Sequence, residues 1–439
     1  MTARTPPALR LECAGCGWTA PDAEILRYPF RCPNAGTDDV DHVVTRRLEP
    51  ANVAAIESDD PNPFVRHRAL FTAWHTARAL GMSDDAYVDL VRTLNDKVAA
   101  VDGRGFHATP FSPATTLGQR LGLEIWVKDE TGSVSGSHKG RHLMGILLYL
   151  AVVERRERPP LAIASCGNAA LAAAVLARAV ERALKVFVPP HAEAAVLETL
   201  HALGADVVPC PRVPGRPGDP CMHGFHDAVR AGALPFCVQG NENGLTIEGG
   251  ETLVEEMLAS GAPSFDHVVV QVGGGALASA CMQAFARAAG DGRLSRMPRI
   301  HTVQTEGAWP LRRAWGLWQE HRRHTGMSRD DALRYASAHR SEFMWPWPEE
   351  PQSIAEGILD DETYDWLAVV RGMAESDGVP VVADEATLRE ARDLACTHTG
   401  IPVSHTGAAG LAGVIRLQRD GVINAGERVA VIFSGVERS

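Results

Sequence analysis

Asp266-His267-Val268-Val269-Val270-Gln271-Val272-Gly273-Gly274-Gly275-Ala276-Leu277-Ala278 passes from a β-branched run through three glycines into an alanine-rich stretch. The apolar run reads as a strand buried on both faces, the glycines as a tight turn, and the alanines as the opening of a helix. Unpaired backbone amides at such a turn suit an anion such as a phosphate, and glycine lets the chain approach it closely. A triple glycine also occurs in nucleotide-binding loops and in plain turns. The G-x-G-x-x-G spacing is not satisfied and no acidic residue downstream makes a convincing ribose partner, so a dinucleotide fold is disfavoured.

The same alternation extends along the chain. Short apolar runs at 124–130, 161–165, 185–190, 206–210, 236–239, 299–306 and 427–435 are separated by alanine- and leucine-rich helical stretches. This predicts an α/β protein with mostly parallel sheets covered by helices. In such sheets ligands sit beyond the carboxyl ends of strands, and three runs end in candidate site residues: Ser165, Gly273 and Ser434. We expect a large domain from 49–140 and 245–439, a small domain from 141–244, and a separate amino-terminal piece at 1–48.

Lys139 lies in Ser135-Gly136-Ser137-His138-Lys139-Gly140-Arg141-His142, between a strand and the apolar run Leu143 to Val153. A lysine in a glycine-serine loop is ordinarily solvated. To react with a carbonyl its amine must lose its proton, which needs desolvation or a nearby cation, and Arg141 and His142 are close in sequence. Ser165-Cys166-Gly167-Asn168 ends one strand and opens a helix, so its amides suit a carboxylate, although a plain helix cap has the same look. Ser434 is delivered by the last strand, where a serine before glycine is often only a strand stop.

The order of lysine loop, SxGN loop, glycine loop and terminal serine resembles the fold type II pyridoxal-phosphate enzymes, the group of threonine synthase, threonine and serine dehydratases and cysteine synthase. The resemblance covers about residues 105 to 439. It implies pyridoxal 5′-phosphate as cofactor, with Lys139 as the Schiff-base lysine and Asn168 facing the phenolic oxygen. Gly273, Gly274, Gly275, Ala276 and Leu277 would cradle the phosphate, Ser434 would face the ring nitrogen, and His138 would belong to the same shell. Ser165, Cys166, Gly167 and Asn168 would hold the substrate carboxylate. Ser353-Ile354-Ala355-Glu356-Gly357 and Val382-Ala383-Asp384-Glu385 also resemble stretches of this family. Asn241-Glu242-Asn243 and Glu248-Gly249-Gly250-Glu251-Thr252 lean toward threonine synthase. Two departures stand out: the usual SFKDR is Ser137-His138-Lys139-Gly140-Arg141 here, and the proline and arginine expected after the asparagine pair are missing.

Residues 1 to about 45 carry Cys13-x-x-Cys16, Cys32 and His42 among turn-forming residues. The first pair fits half of a zinc site, the second pair is broken, and His42 is the available fourth ligand, so spacing alone assigns no metal. Residues 309 to 352, with Trp309, Trp315, Trp318, Trp345 and Trp347, read as an inserted set of helices that is either a lid, an interface or packing mass.

A formal charge of -11 argues against a nucleic-acid partner. The longest apolar run is far short of the ~20 residues of a membrane helix. Nine cysteines without a disulfide pattern, and a start without an apolar signal core, point to the cytoplasm. The expected activity is that of a lyase on an amino acid, with O-phospho-L-homoserine as leading substrate in a threonine-synthase-like elimination and replacement. The alternatives are an L-threonine or L-serine ammonia-lyase and an inactive cofactor-binding regulatory module. A nucleotide-dependent oxidoreductase is a poorer third class. The resemblance implies a homodimer.

Overall fold

The computed structural model describes residues 9–21, 27–49, 56, 58–154, 156–213, 215–216 and 218–438. Their strands form three sheets. A two-stranded antiparallel ribbon pairs β1 (Leu9–Cys13) with β2 (Val44–Leu48). The largest sheet takes in β3 (Phe111–Pro113), β4 (Glu124–Asp129), β9 (His267–Gln271), β10 (Arg299–Thr305), β11 (Pro380–Ala383) and β12 (Arg428–Phe433), in the order β11-β10-β9-β12-β4-β3. All its pairings are parallel except that of the edge strand β3 with β4. The third sheet is all parallel, in the order β7-β6-β5-β8, from β5 (Leu161–Ala164), β6 (Leu184–Val188), β7 (Asp206–Pro209) and β8 (Leu234–Pro235).

Every residue of β5 and β9 is buried, as expected of parallel strands covered on both faces. The apolar run after Lys139 becomes the helix Lys139–Val153, buried nearly all round because it lies between the helices Thr246–Ala259, Thr72–Ala79 and Asn168–Ala179. No helix among the described residues is long and apolar enough to cross a membrane. One expected strand shifts: the run at 236–239 is a bend, and the pairing with β5 falls on Leu234–Pro235 and ends with Phe236 N–H donating to Ala162 O at 2.9 Å.

The Trp-rich segment forms the helices Pro310–Thr325 and Arg329–Ala338. Trp315 and Trp318 are buried against the helix Trp366–Glu375, whose Trp366 stacks on Phe343 with centroids 6.0 Å apart. Beyond them Trp347 N–H donates to Asp361 O at 2.8 Å, so this segment holds down the acidic stretch 360–365.

β4, β9 and β12 end side by side: β12 pairs with both neighbours, and Phe433 is level with Asp129. The glycine turn, the lysine loop and Ser434 all meet there.

Candidate active site

The lysine loop is stitched to the last strand. Ser135 (φ 56°) and Gly136 (φ 69°) turn the chain back, Ser137 bridges to Gly435, and the His138 amide and Nδ1 both lie 3.0 Å from Ser434 O. Because a carbonyl only accepts, His138 Nδ1 carries the proton. Burial, reinforced by the charge of Lys139, holds this imidazole well below its ordinary pKa, and its Nε2 is buried without a partner among the described residues. His142, one turn on, donates from Nδ1 to Thr246 O at 2.7 Å and is pushed down to about 3, chiefly by burial.

Lys139 opens its helix and makes no ion pair among the described residues. Burial lowers its pKa, against the opposing pull of Asp360 and Asp365. A neutral amine is thereby favoured by desolvation. Of the two causes the sequence allowed, desolvation acts and a nearby cation does not: Arg141 points into a buried cluster, with Nε 2.7 Å from Glu130, Nη1 2.6 Å from Glu256, and Lys128 Nζ 2.5 Å from Glu256. That cluster anchors the first turn of the lysine's helix.

At the glycine turn Gly275 has φ 100°, a conformation that only glycine adopts without strain, and the helix begins at Ala276. Leu277 follows, buried. The stretch Asp360–Asp365 lies directly over this turn. Asp360 packs on Gly273 so tightly that a Cβ there would clash with its carboxylate, and the Gly274 amide faces the same carboxylate. Thr363 Oγ1 donates to Gly273 O, and Asp365 N–H to Gly274 O, both at 3.0 Å. Burial pushes Asp360 up to about 6 and Asp365 up to about 7. Neither acid was singled out from the sequence, and both sit close enough to Lys139 to bear on its charge.

Gly167 caps the helix Asn168–Ala179, and the Gly167 amide is 3.4 Å from Ser165 Oγ. Asn168 Oδ1 accepts from Arg438 Nη2 at 2.8 Å and Nε at 3.1 Å, and Arg438 Nη2 also donates to Ser135 O at 2.6 Å. Arg438, also missed in the sequence, thus ties the SxGN loop to the lysine loop. Cys166 is exposed, yet the protein atoms crowding its thiol and the carboxylates of Glu356, Asp360 and Asp219 push it up.

Ser434 Oγ is 2.6 Å from Gln271 Nε2, which also faces the carbonyl oxygens of Gly407 and Ile432 at 3.0 and 3.2 Å. Those carbonyls fix the nitrogen of the Gln271 amide on this side. Ser434 Oγ therefore accepts, and its own proton is free to donate elsewhere. The stretches 353–357 and 382–385 meet: Ser353 Oγ donates to Glu385 Oε1 at 2.5 Å and Ile354 N–H to Oε2 at 3.1 Å.

A half-buried amine, an amide-lined turn already facing a carboxylate, and a hydroxyl with a spare proton converge at the ends of three parallel strands. Residues 104–435 match the family model described as pyridoxal-phosphate dependent enzyme. The chain belongs to this family. Its threonine synthase relative from Bacillus sp. (strain ULM1) is 24% identical over 334 residues, covering 74% of this chain and 82% of that one. The biosynthetic L-threonine dehydratase of Haemophilus influenzae is 26% identical over 205 residues, 45% of this chain and 36% of that one. Among solved structures, maize serine racemase superposes with a TM-score of 0.58 at 20% identity, over 80% of this chain and 94% of that chain.

The family is that of the fold type II enzymes, and its cofactor is pyridoxal 5′-phosphate. The donor set fits the group. The Gly274 amide at the start of the helix Ala276–Gly290 already attracts an anion, the carboxylate of Asp360; Lys139 is desolvated; and the Ser434 proton is unspent.

Proposed function

We propose that this pyridoxal-phosphate enzyme is an amino-acid lyase. When bound, the cofactor supplies an electron sink that weakens the bonds of an amino acid's α-carbon. Lys139 Nζ would be the amine that holds the cofactor's aldehyde and the base that carries the substrate's α-proton. Amides of Gly273, Gly274, Gly275, Ala276 and Leu277 would hold the phosphate, Ser434 would donate to the ring nitrogen, and Asn168 would face the phenolic oxygen. His138 fixes the lysine loop, and Ser165, Cys166 and Gly167 bind the substrate carboxylate. The observation that carries this reading is geometric: Lys139, without an ion-pair partner among the described residues, opens its helix beside the glycine turn whose Gly274 amide faces a carboxylate.

Two reactions agree with it. Kinship with threonine synthases supports elimination and replacement on O-phospho-L-homoserine. The local charge favours instead an uncharged leaving group. Asp219, Glu356, Asp360 and Asp361 surround the site, whereas Arg212 is committed to Asp361 at 3.5 Å and Arg438 to Asn168. A phosphate dianion there meets repulsion, so ammonia release from L-threonine or L-serine is the better-supported version. Incubating purified enzyme with each substrate tests it: 2-oxoacid and ammonia from threonine or serine are expected, whereas phosphate and threonine from phosphohomoserine would select the synthase.

We place the small domain at 141–244 around the β5–β8 sheet and the large one at 49–140 and 245–439. The unbridged cysteines support a cytoplasmic place, and the family resemblance implies a homodimer, which sedimentation as a monomer would refute.

A further inference from the structure

Away from Lys139, one group of ligand-type side chains stands out among the described residues: Cys13, Cys16, Cys32 and His42, whose sulfurs and ring nitrogen all lie within 4.8 Å of one another. The ribbon brings them together. Cys13 ends β1 opposite Val44, which places His42 just before the paired end of β2, and Cys16 and Cys32 close from the two flanking turns. Cys16 Sγ is 3.6 Å from Cys32 Sγ, and Cys13 Sγ is 3.5 Å from His42 Nδ1. Bonds of about 2.3 Å to sulfur and about 2.0 Å to nitrogen at tetrahedral angles separate two sulfurs by about 3.8 Å and sulfur from nitrogen by about 3.5 Å. The observed spacings are those of a tetrahedral zinc shell, and all three cysteines are unbridged.

The surroundings are prepared for it. His42 Nε2 donates to Asp38 Oδ1 at 2.8 Å, which leaves the Nδ1 lone pair facing Cys13 Sγ. Amides of Gly15 and Cys16 face the Cys13 sulfur, that of Trp18 faces Cys16 and that of Asn34 faces Cys32, so each developing thiolate meets a donor. Any side chain at Gly15 would strike Asp41 O, so the first turn and the Cys32–His42 loop interlock.

We propose that Cys13, Cys16, Cys32 and His42 bind one structural zinc ion, each coordinating cysteine giving up its thiol proton to solvent. Four protein ligands leave no open position, so this ion folds the module and does no chemistry. A two-stranded ribbon is at best marginal alone. The loop it closes reaches the cover of the active site: Asp41 Oδ1 accepts from Trp366 Nε1 at 3.2 Å and pairs with Arg340 Nε at 3.3 Å, and Asp39 O accepts from Arg340 N–H at 2.9 Å. Trp366 directly follows Asp365. Metal at the amino terminus thus steadies the acidic stretch over the glycine turn.

The test is elemental analysis of untagged holoenzyme dialysed against metal-free buffer. One zinc per chain is expected, lost in Cys16→Ser and His42→Ala and kept in His42→Cys. Growth on cobalt adds a second readout: a tetrahedral ligand-field spectrum, with thiolate charge-transfer absorbance stronger in His42→Cys than in wild type. Wild-type enzyme without zinc, stoichiometric iron in its place, or full zinc retention in Cys16→Ser overturns the proposal. If His42→Ala does not fold, the wild-type metal content and cobalt spectrum still decide.

Discussion

His138 donates twice to one acceptor: its amide nitrogen and its Nδ1 both lie 3.0 Å from the carbonyl oxygen of Ser434. One carbonyl therefore fixes both the start of the Lys139 helix and the ring beside it. Replacing the ring by one that cannot donate leaves the backbone bond but frees the loop to shift. His138→Phe is expected to cost about 1 kcal/mol of stability and to lower kcat at least about 10-fold, since small misplacements of a reacting group are expensive. Cofactor absorbance should persist. Unchanged turnover would show that the side-chain bond does not position Lys139.

Asp360 occupies the turn proposed for the cofactor's phosphate, so the two should compete. Burial raises this carboxylate to about 6, so at pH 8 it is ionised and repels an incoming dianion, whereas below about 6 it is neutral. Asp360→Asn is expected to bind pyridoxal phosphate about 10-fold more tightly than wild type at pH 8. The gap should close toward pH 5 as the wild-type acid takes its proton. Absorbance titration of the stripped enzyme at the two pH values measures it, and equal affinities at pH 8 would refute the competition.

Asp365 is raised to about 7 by burial, with the charge of Asp41 adding to this and the Gly240 amide opposing it. Its folded pKa lies above the unfolded value, so between the two the native state holds more protons and stability falls as pH rises. Asp365→Asn removes that penalty. Its stability advantage over wild type in the cofactor-free protein should grow by about 3 kcal/mol from pH 4 to pH 8. Urea unfolding at several pH values checks it; a gap that is flat with pH would show that Asp365 is not buried as a carboxylate.

The parts of this site readable in sequence are those that local pattern determines. β9 with its glycine turn and β5 with its SxGN turn are strand-turn-helix units whose residues are contiguous, and the structure has both. Between desolvation and a nearby cation the sequence does not choose, because closeness in sequence says nothing of direction: two residues on, a helical side chain points about 200° away, here into Glu130 and Glu256. Asp360, Asp365 and Arg438 were invisible because their positions come from long-range contacts with Gly273, Gly240 and Asn168, and no periodicity marks the stretch at 353–365. His42 closes a ligand set that the spacing of cysteines leaves open.

Glu256 tests how far the lysine's helix depends on the ions beneath it. Burial alone would push this acid up, but Arg141 and Lys128 outweigh it and hold its pKa near about 2. Its stabilising contribution is therefore complete above the ordinary carboxylate range and is lost only as pH falls toward that value. Glu256→Gln leaves Arg141 and Lys128 buried with Glu130 as their sole carboxylate among the described residues. Two cations sharing one anion out of water should cost about 3–5 kcal/mol at pH 7. Because Arg141 lies in the first turn of the Lys139 helix, cofactor content should fall with stability in urea unfolding followed by pyridoxal absorbance. Loss of stability with the chromophore intact would separate this ion cluster from the active site.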